Sequence, residues 1–247
     1  MRSHASSALR STISGNLVGD PAPVITPAPI DGATVGRALR ILRRESRGWN
    51  APVLTLMAAE KHDPFLTLIG CILSLRTKDE TTAIAAPRLF ARARTPDAML
   101  ALTAEEIERL IFPVGFYRTK ARVIHGICRD LIDRFGGRVP DDLDALTTLK
   151  GVGRKTANLV ITESFRKPGI CVDTHVHRIS NRWGLVRAKT PDHTEQALRV
   201  ALPRRYWREF NGLLVALGQT LCHPTSPRCS QCPIARSCPR IGVTRSR

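Results

Sequence analysis

A lysine stands just inside the run LKGVGRKTANLVITESF, residues 149–165, after two glycines, Gly151 and Gly153. The amine of Lys155 can do what a guanidinium cannot: give up its proton and attack carbon. A nucleophilic lysine must be neutral, which at pH 7 costs about 4.6 kcal/mol from a reference pKa of about 10.4, so its surroundings must favour the free amine. The simpler reading is one more phosphate contact. Arginine would serve that purpose as well and is far commoner in this chain, which has only seven lysines. Gly151 and Gly153 can take positive φ without a Cβ clash. Successive backbone N–H groups can then converge beside a helix start and hold an anion. A plain helix–turn–helix with a glycine turn explains the two glycines equally well. Arg154 and the basic composition favour a phosphate.

Downstream, GICVDTHVHRISNRWG places Asp173 between a short apolar run and the start of a helix. Asp and Thr are good N-caps, and capping is the first reading of this position. A capping carboxylate stays ionised, so it could also stabilise a positively charged sugar transition state or accept a proton. His175 and His177 read as polar contacts or solvated helix residues. No acidic or cysteine partner stands at helical spacing to make them metal ligands.

The third constellation is CHPTSPRCSQCPIARSC, in which Cys222, Cys229, Cys232 and Cys238 follow the spacing C-x6-C-x2-C-x5-C. Four thiolates in one Pro-rich loop fit a four-iron, four-sulfur cluster. A zinc site with four cysteine ligands is the alternative, but such sites more often pair two short knuckles and only one is present here. The other cysteines, Cys71, Cys128 and Cys171, are scattered among apolar residues and read as core thiols. An odd total of seven without a secretory signal argues for a reducing compartment, and hence for metal ligation before disulfides.

The elements around these residues are helical. Lys and Arg number 38 against 21 Asp and Glu in 247 residues, a formal net charge of +17. Such an excess calls for a polyanion, with nucleic acid first and an acidic membrane surface second. No apolar run approaches the roughly 20 residues of a membrane span, so a membrane partner is set aside. Residues 1–33 are rich in Ser, Ala and Pro and read as a flexible tail. Arg2 and Arg10, with no acid before Asp20, admit an organelle transit peptide; a disordered bacterial extension is preferred. From Thr34 onward the apolar spacing is helical, with runs near 80–90, 104–111, 119–135, 154–164, 175–183, 191–201 and 206–219. Phe65 to Leu75 is apolar all round, as a buried helix would be. GICV could be one short strand, but no alternating strand pair accompanies it. The fold class is all-α with short connections.

The hairpin LKGVGRKTANLVI, the segment VDTHVHRISNR and the cysteine spacing together resemble endonuclease III, of the helix-hairpin-helix DNA glycosylase superfamily. The resemblance runs from about Leu39 to Pro239. Adenine-mismatch glycosylases share the hairpin and the cysteine loop, but the bifunctional branch alone carries a lysine at the position of Lys155. The resemblance implies two all-α domains with a DNA groove between them. One is a six-helix barrel with the helix-hairpin-helix, residues 61–167. The other is an iron–sulfur domain formed by 34–60 and 168–247. It also implies that Lys155 attacks the sugar C1′ of a flipped nucleotide with help from Asp173, and that the strand is nicked by β-elimination. Gly151, Gly153, Arg154 and His175 would bind DNA, and Cys222, Cys229, Cys232 and Cys238 would hold a 4Fe-4S cluster. LSLRTKD, residues 73–79, lies where the family inserts a wedge, with Arg76 in place of the bacterial prototype's glutamine. VGFYRTKA, residues 114–121, matches a second wedge, in which Phe116 either stacks on the opposite strand or is a core aromatic. Lys150 stands where many relatives have proline and adds a second amine.

The leading expectation is a bifunctional DNA glycosylase and abasic-site lyase acting on oxidised pyrimidines in damaged double-stranded DNA, as a monomer in the bacterial cytoplasm. Two alternatives remain: a hydrolytic mismatch glycosylase in which Lys155 only binds phosphate, and a non-enzymatic iron–sulfur DNA-binding protein.

Overall fold

The computed structural model describes residues 30–49 and 62–247. The tail read over residues 1–33 lies outside the described residues up to position 29, as do residues 50–60 of the segment 34–60 and residue 61 of the segment 61–167. Among the described residues every regular element is a helix. In order these are α1 Gly32–Glu45, α2 Pro64–Ser74, α3 Asp79–Arg92, α4 Pro96–Leu100, α5 Ala104–Ile111, α6 Tyr117–Phe135, α7 Leu143–Thr147, α8 Arg154–Glu163, α9 Thr174–Arg182, α10 Pro191–Ala201 and α11 Trp207–Thr220.

The helix starts follow from local chemistry. Asp31 caps α1 through Thr34 N, so the helix begins at Gly32, two residues before the expected Thr34. Asp63 caps α2 with Pro64 in its first turn, and Thr103 and Glu106 form a reciprocal capping box at α5. The one-turn helix α4 escaped the sequence reading because a single turn shows no periodicity. Its only mark is Thr95, which caps Ala98 N ahead of Pro96.

Two hydrophobic cores divide the chain. The first runs from Phe65 to Ile161 and is filled by α2 to α8, with Leu68, Ile69, Leu89, Met99, Ile107, Ile111 and Ile124 fully buried. α2 is buried on nearly all sides, as its composition demands. The second core joins α1 to α9, α10 and α11, with Leu39, Leu42, Trp183, Leu198 and Phe210 inside. The chain crosses from one to the other at 164–173. There the segment read as a strand, GICV, is extended: Ile170, Cys171 and Val172 are buried between helices and, among the described residues, no second strand stands beside them. Its apolar run reflects burial on all sides, not a sheet.

Candidate active site

The hairpin is built by α7, a tight turn and α8. Gly151 has φ +88° and is the one residue of the turn in the left-handed region. A Cβ there would lie 2.8 Å from Cγ1 of Val123 on α6, so both backbone and packing require glycine. Gly153 differs from expectation. Its φ is −89° and ψ 171°, extended backbone open to any residue, and a Cβ would meet nothing within 4 Å. The fold therefore gives no reason for glycine at 153. Gly153 is the N-cap of α8 and offers no side chain to it, so no side chain caps the first-turn N–H groups of this helix.

Lys155 is the second residue of α8 and is exposed. Asp173 caps α9: its Oδ1 accepts Val176 N–H at 2.8 Å, and Oδ2 has no protein partner among the described residues. The carboxylate is thus oriented by the helix start that it caps. Lys155, Asp173 and Thr174 line one open cleft of roughly 260 Å³, with Val172, Pro191, Asp192 and Glu195. Lys150 is also exposed, on the far side of the glycine turn, and does not line this cleft.

Glu195, on α10, was not singled out from sequence. It is 3% exposed and accepts Arg154 Nε and Nη2 at 3.0 and 2.9 Å, and Arg199 Nε at 2.9 Å. The two guanidiniums hold its carboxyl below the usual range against the opposing effect of burial. Arg154 is therefore engaged across the two cores rather than free. Its side chain keeps 41% exposure, enough to offer the rest of the guanidinium to an anion.

His175 turns inward. A Cβ on Gly218 of α11 would fall 2.2 Å from its Nδ1, and Arg178 Nη2 donates to that nitrogen at 3.1 Å. Burial first, and the Arg178 and Lys155 charges after it, push the imidazole below its ordinary pKa; Asp173 and Asp79 oppose this. The ring is thus a packed neutral group within electrostatic reach of the starts of α3, α8 and α9.

Arg76 and Phe116 stand together. Both have left-handed backbones, φ +51° and +58°, and the guanidinium sits 5.8 Å over the Phe116 ring centre. Phe116 is 63% exposed, which excludes the core-aromatic reading.

The four late cysteines are unpaired and line one cavity with Ile179, Trp183, Leu217 and Ile234. Burial, then the neighbouring thiols Cys238, Cys222 and Cys229, raise Cys232 to about 11. Arg182 of α9 donates to Cys222 Sγ at 3.5 Å. Among the described residues, no three His, Cys, Asp or Glu side chains stand close enough together to hold a metal ion. Cys71 and Cys171 are buried thiols against Leu159, raised by burial (Cys71 to about 12), which agrees with their reading as core residues.

An all-helical chain with a glycine hairpin against a lysine–carboxylate cleft defines a class, and the comparisons specify it. Residues 69–204, more than half of the chain, match the family described as HhH-GPD superfamily base excision DNA repair protein. Endonuclease III of Thermotoga maritima is 47% identical over 176 residues, 71% of this chain and 83% of its own. Endonuclease III-like protein 1 of Bos taurus is 40% identical over 209 residues, 80% of this chain and 68% of its own. A trapped endonuclease III–DNA covalent intermediate superposes with a TM-score of 0.75 at 34% identity, over 85% of this chain and 97% of the other. The chain belongs to the endonuclease III family of the HhH-GPD superfamily, whose members are base excision repair DNA glycosylases.

Proposed function

We propose that the protein is a bifunctional glycosylase and abasic-site lyase that removes oxidised pyrimidines from damaged duplex DNA, one copy of the chain acting on each lesion. The observation that carries this reading is the shared cleft: an exposed amine, Lys155, and an oriented carboxylate, Asp173, open onto one space beside an uncapped helix start. The lobes 61–167 and 34–60 with 168–247 would face the DNA from either side. The uncapped N–H groups of α8 would take a strand phosphate, since anions are favoured at a helix N-terminus. Gly153, whose Cβ site is empty, leaves room for that phosphate to approach.

The lesion nucleotide must leave the stack before an amine can reach its sugar. Lys155 Nζ then bonds to C1′ while the glycosidic bond breaks and the base departs with its electron pair and a proton. Asp173 faces the positive charge that builds on the sugar and accepts the proton released by the amine. The C1′–O4′ bond then opens, O4′ taking the proton held by Asp173, and the resulting iminium acidifies C2′. Loss of a C2′ proton expels the 3′ phosphate and cuts the strand, and water then frees Lys155. The covalent DNA intermediate of the structural neighbour supports a covalent step for this chain.

Cys222, Cys229, Cys232 and Cys238 would hold a 4Fe-4S cluster. One zinc ion would draw four sulfurs to about 2.3 Å from a single centre. The four thiols line one cavity, and four thiolates from a single loop are the donor set that a 4Fe-4S cluster takes. When bound, the cluster supplies a covalent tie for the loop after α11, and Arg182 steadies the loop by donating to Cys222 Sγ and to His223 O at 2.6 Å.

The test compares wild type with Lys155→Gln on duplexes carrying an oxidised pyrimidine or an abasic site. Wild type should release the base and nick the strand, and the variant should lose both. A variant that nicks at the wild-type rate would overturn the assignment.

A further inference from the structure

Lys120, the fourth residue of α6, is 6% exposed, and no carboxylate pairs with it among the described residues. Its ammonium spends all three donors outside its own helix, on the end of α2 and the loop that follows it: Leu73 O at 2.7 Å, Leu75 O at 2.5 Å and Thr77 Oγ1 at 2.9 Å. That loop carries Arg76. Thr77 Oγ1 also accepts the Gly115 N–H at 3.1 Å, so one hydroxyl joins this loop to the one between α5 and α6, which carries Phe116. The approach is close enough that a Cβ on Gly115 would lie 2.6 Å from Arg76 O.

Two features call for an explanation. A buried ammonium without a counter-charge is costly, and burial here pulls its pKa down to about 8. A methionine would fill the same space at no such cost. Arg76 and Phe116 also hold left-handed backbones, each costing about 1–2 kcal/mol, which persist only when the surroundings over-determine them. The ammonium and Thr77 are what over-determines them.

We infer that Lys120 is a positioning residue that fastens the Arg76 and Phe116 loop tips into one rigid wedge for opening the duplex. The inference rests on the proposed lyase function but not on its chemistry. Lys120 does not line the Lys155 cleft, so its loss should spare a nucleotide that is already unstacked.

The experiment compares nicking of the same abasic site in duplex and in single-stranded DNA by wild type, Lys120→Met and Thr77→Val. A 2-aminopurine beside the duplex site reports intrusion of the wedge. Both variants should slow duplex nicking by about tenfold or more and lose most of the fluorescence rise, because misplaced positioning groups cost rates of that order. Single-stranded nicking should stay within about threefold of wild type. Equal losses on both DNAs, or none on either, would overturn the inference. Should Lys120→Met fail to fold, Thr77→Val decides by the same criteria. If wild type nicks neither DNA, the lyase reading fails, and a variant 2-aminopurine signal equal to that of wild type then overturns the bracing.

Discussion

Replacing each hairpin glycine by alanine should produce opposite results. At Gly151 the new side chain meets two penalties. A left-handed φ of +88° costs an L-residue about 1–2 kcal/mol. The added methyl, 2.8 Å from Val123 Cγ1, must also displace a core side chain, at about 1 kcal/mol or more. The stiffer unfolded chain returns about 0.4–1 kcal/mol. The net loss is about 2 kcal/mol, or roughly 4–8 °C in Tm for a chain of this size. At Gly153 the backbone is ordinary and the methyl meets nothing within 4 Å. The few tenths lost by alanine as an N-cap roughly offset the unfolded-state gain, so stability should stay within about 0.5 kcal/mol. If a phosphate approaches this helix start, that methyl intrudes on it, and affinity for an abasic duplex should fall at least about tenfold, equivalent to about 1.4 kcal/mol. Denaturant midpoints and fluorescence anisotropy at fixed salt read the two quantities separately. Unchanged affinity for Gly153→Ala would refute the phosphate site. Unchanged stability for Gly151→Ala would refute the packing argument.

Three other outcomes are expected. Glu195→Ala should destabilise the protein by about 1–3 kcal/mol, less than for a fully buried pair because Arg154 and Arg199 keep 41% and 31% side-chain exposure, and chemical denaturation measures it. His175 should make the fold acid-sensitive. Its folded pKa is depressed below 6.5, so as pH falls through 6.5 the unfolded chain takes up a proton that the folded chain refuses, and stability drops until the folded value is passed. Denaturation midpoints between pH 7 and 5 should therefore fall less steeply for His175→Gln than for wild type. Finally, Cys222→Ser should lower the iron content and brown absorbance of purified protein; colourless wild-type protein loaded with zinc would contradict the cluster.

Much of the helical order is legible in the sequence because amphipathic spacing and caps are local signals. The runs at 104–111 and 191–201 match α5 and α10 residue for residue. The cleft was legible only in part. Lys155 and Asp173 stand out through residue type and setting. Glu195 does not, because TEQALR reads as a solvated helix face until folding brings Arg154 from α8 against it. Lys120 is similar: in FYRTKAR it looks like one more cation on a basic helix, and its burial depends on a loop more than 40 residues earlier in the chain. Gly153 shows the converse limit. Sequence gives it the same role as Gly151, yet only backbone angles separate a glycine required by the fold from one that the fold does not require.

Which nitrogen becomes bonded to DNA decides whether Lys155 is the nucleophile. Wild-type protein should be mixed with an abasic duplex, reduced with borohydride and digested, and the peptide carrying the sugar remnant sequenced by mass spectrometry. A remnant on Lys155 is predicted, with its loss in Lys155→Gln. A remnant on Lys150 or on any other lysine, or no adduct from protein that nicks the strand, would contradict it.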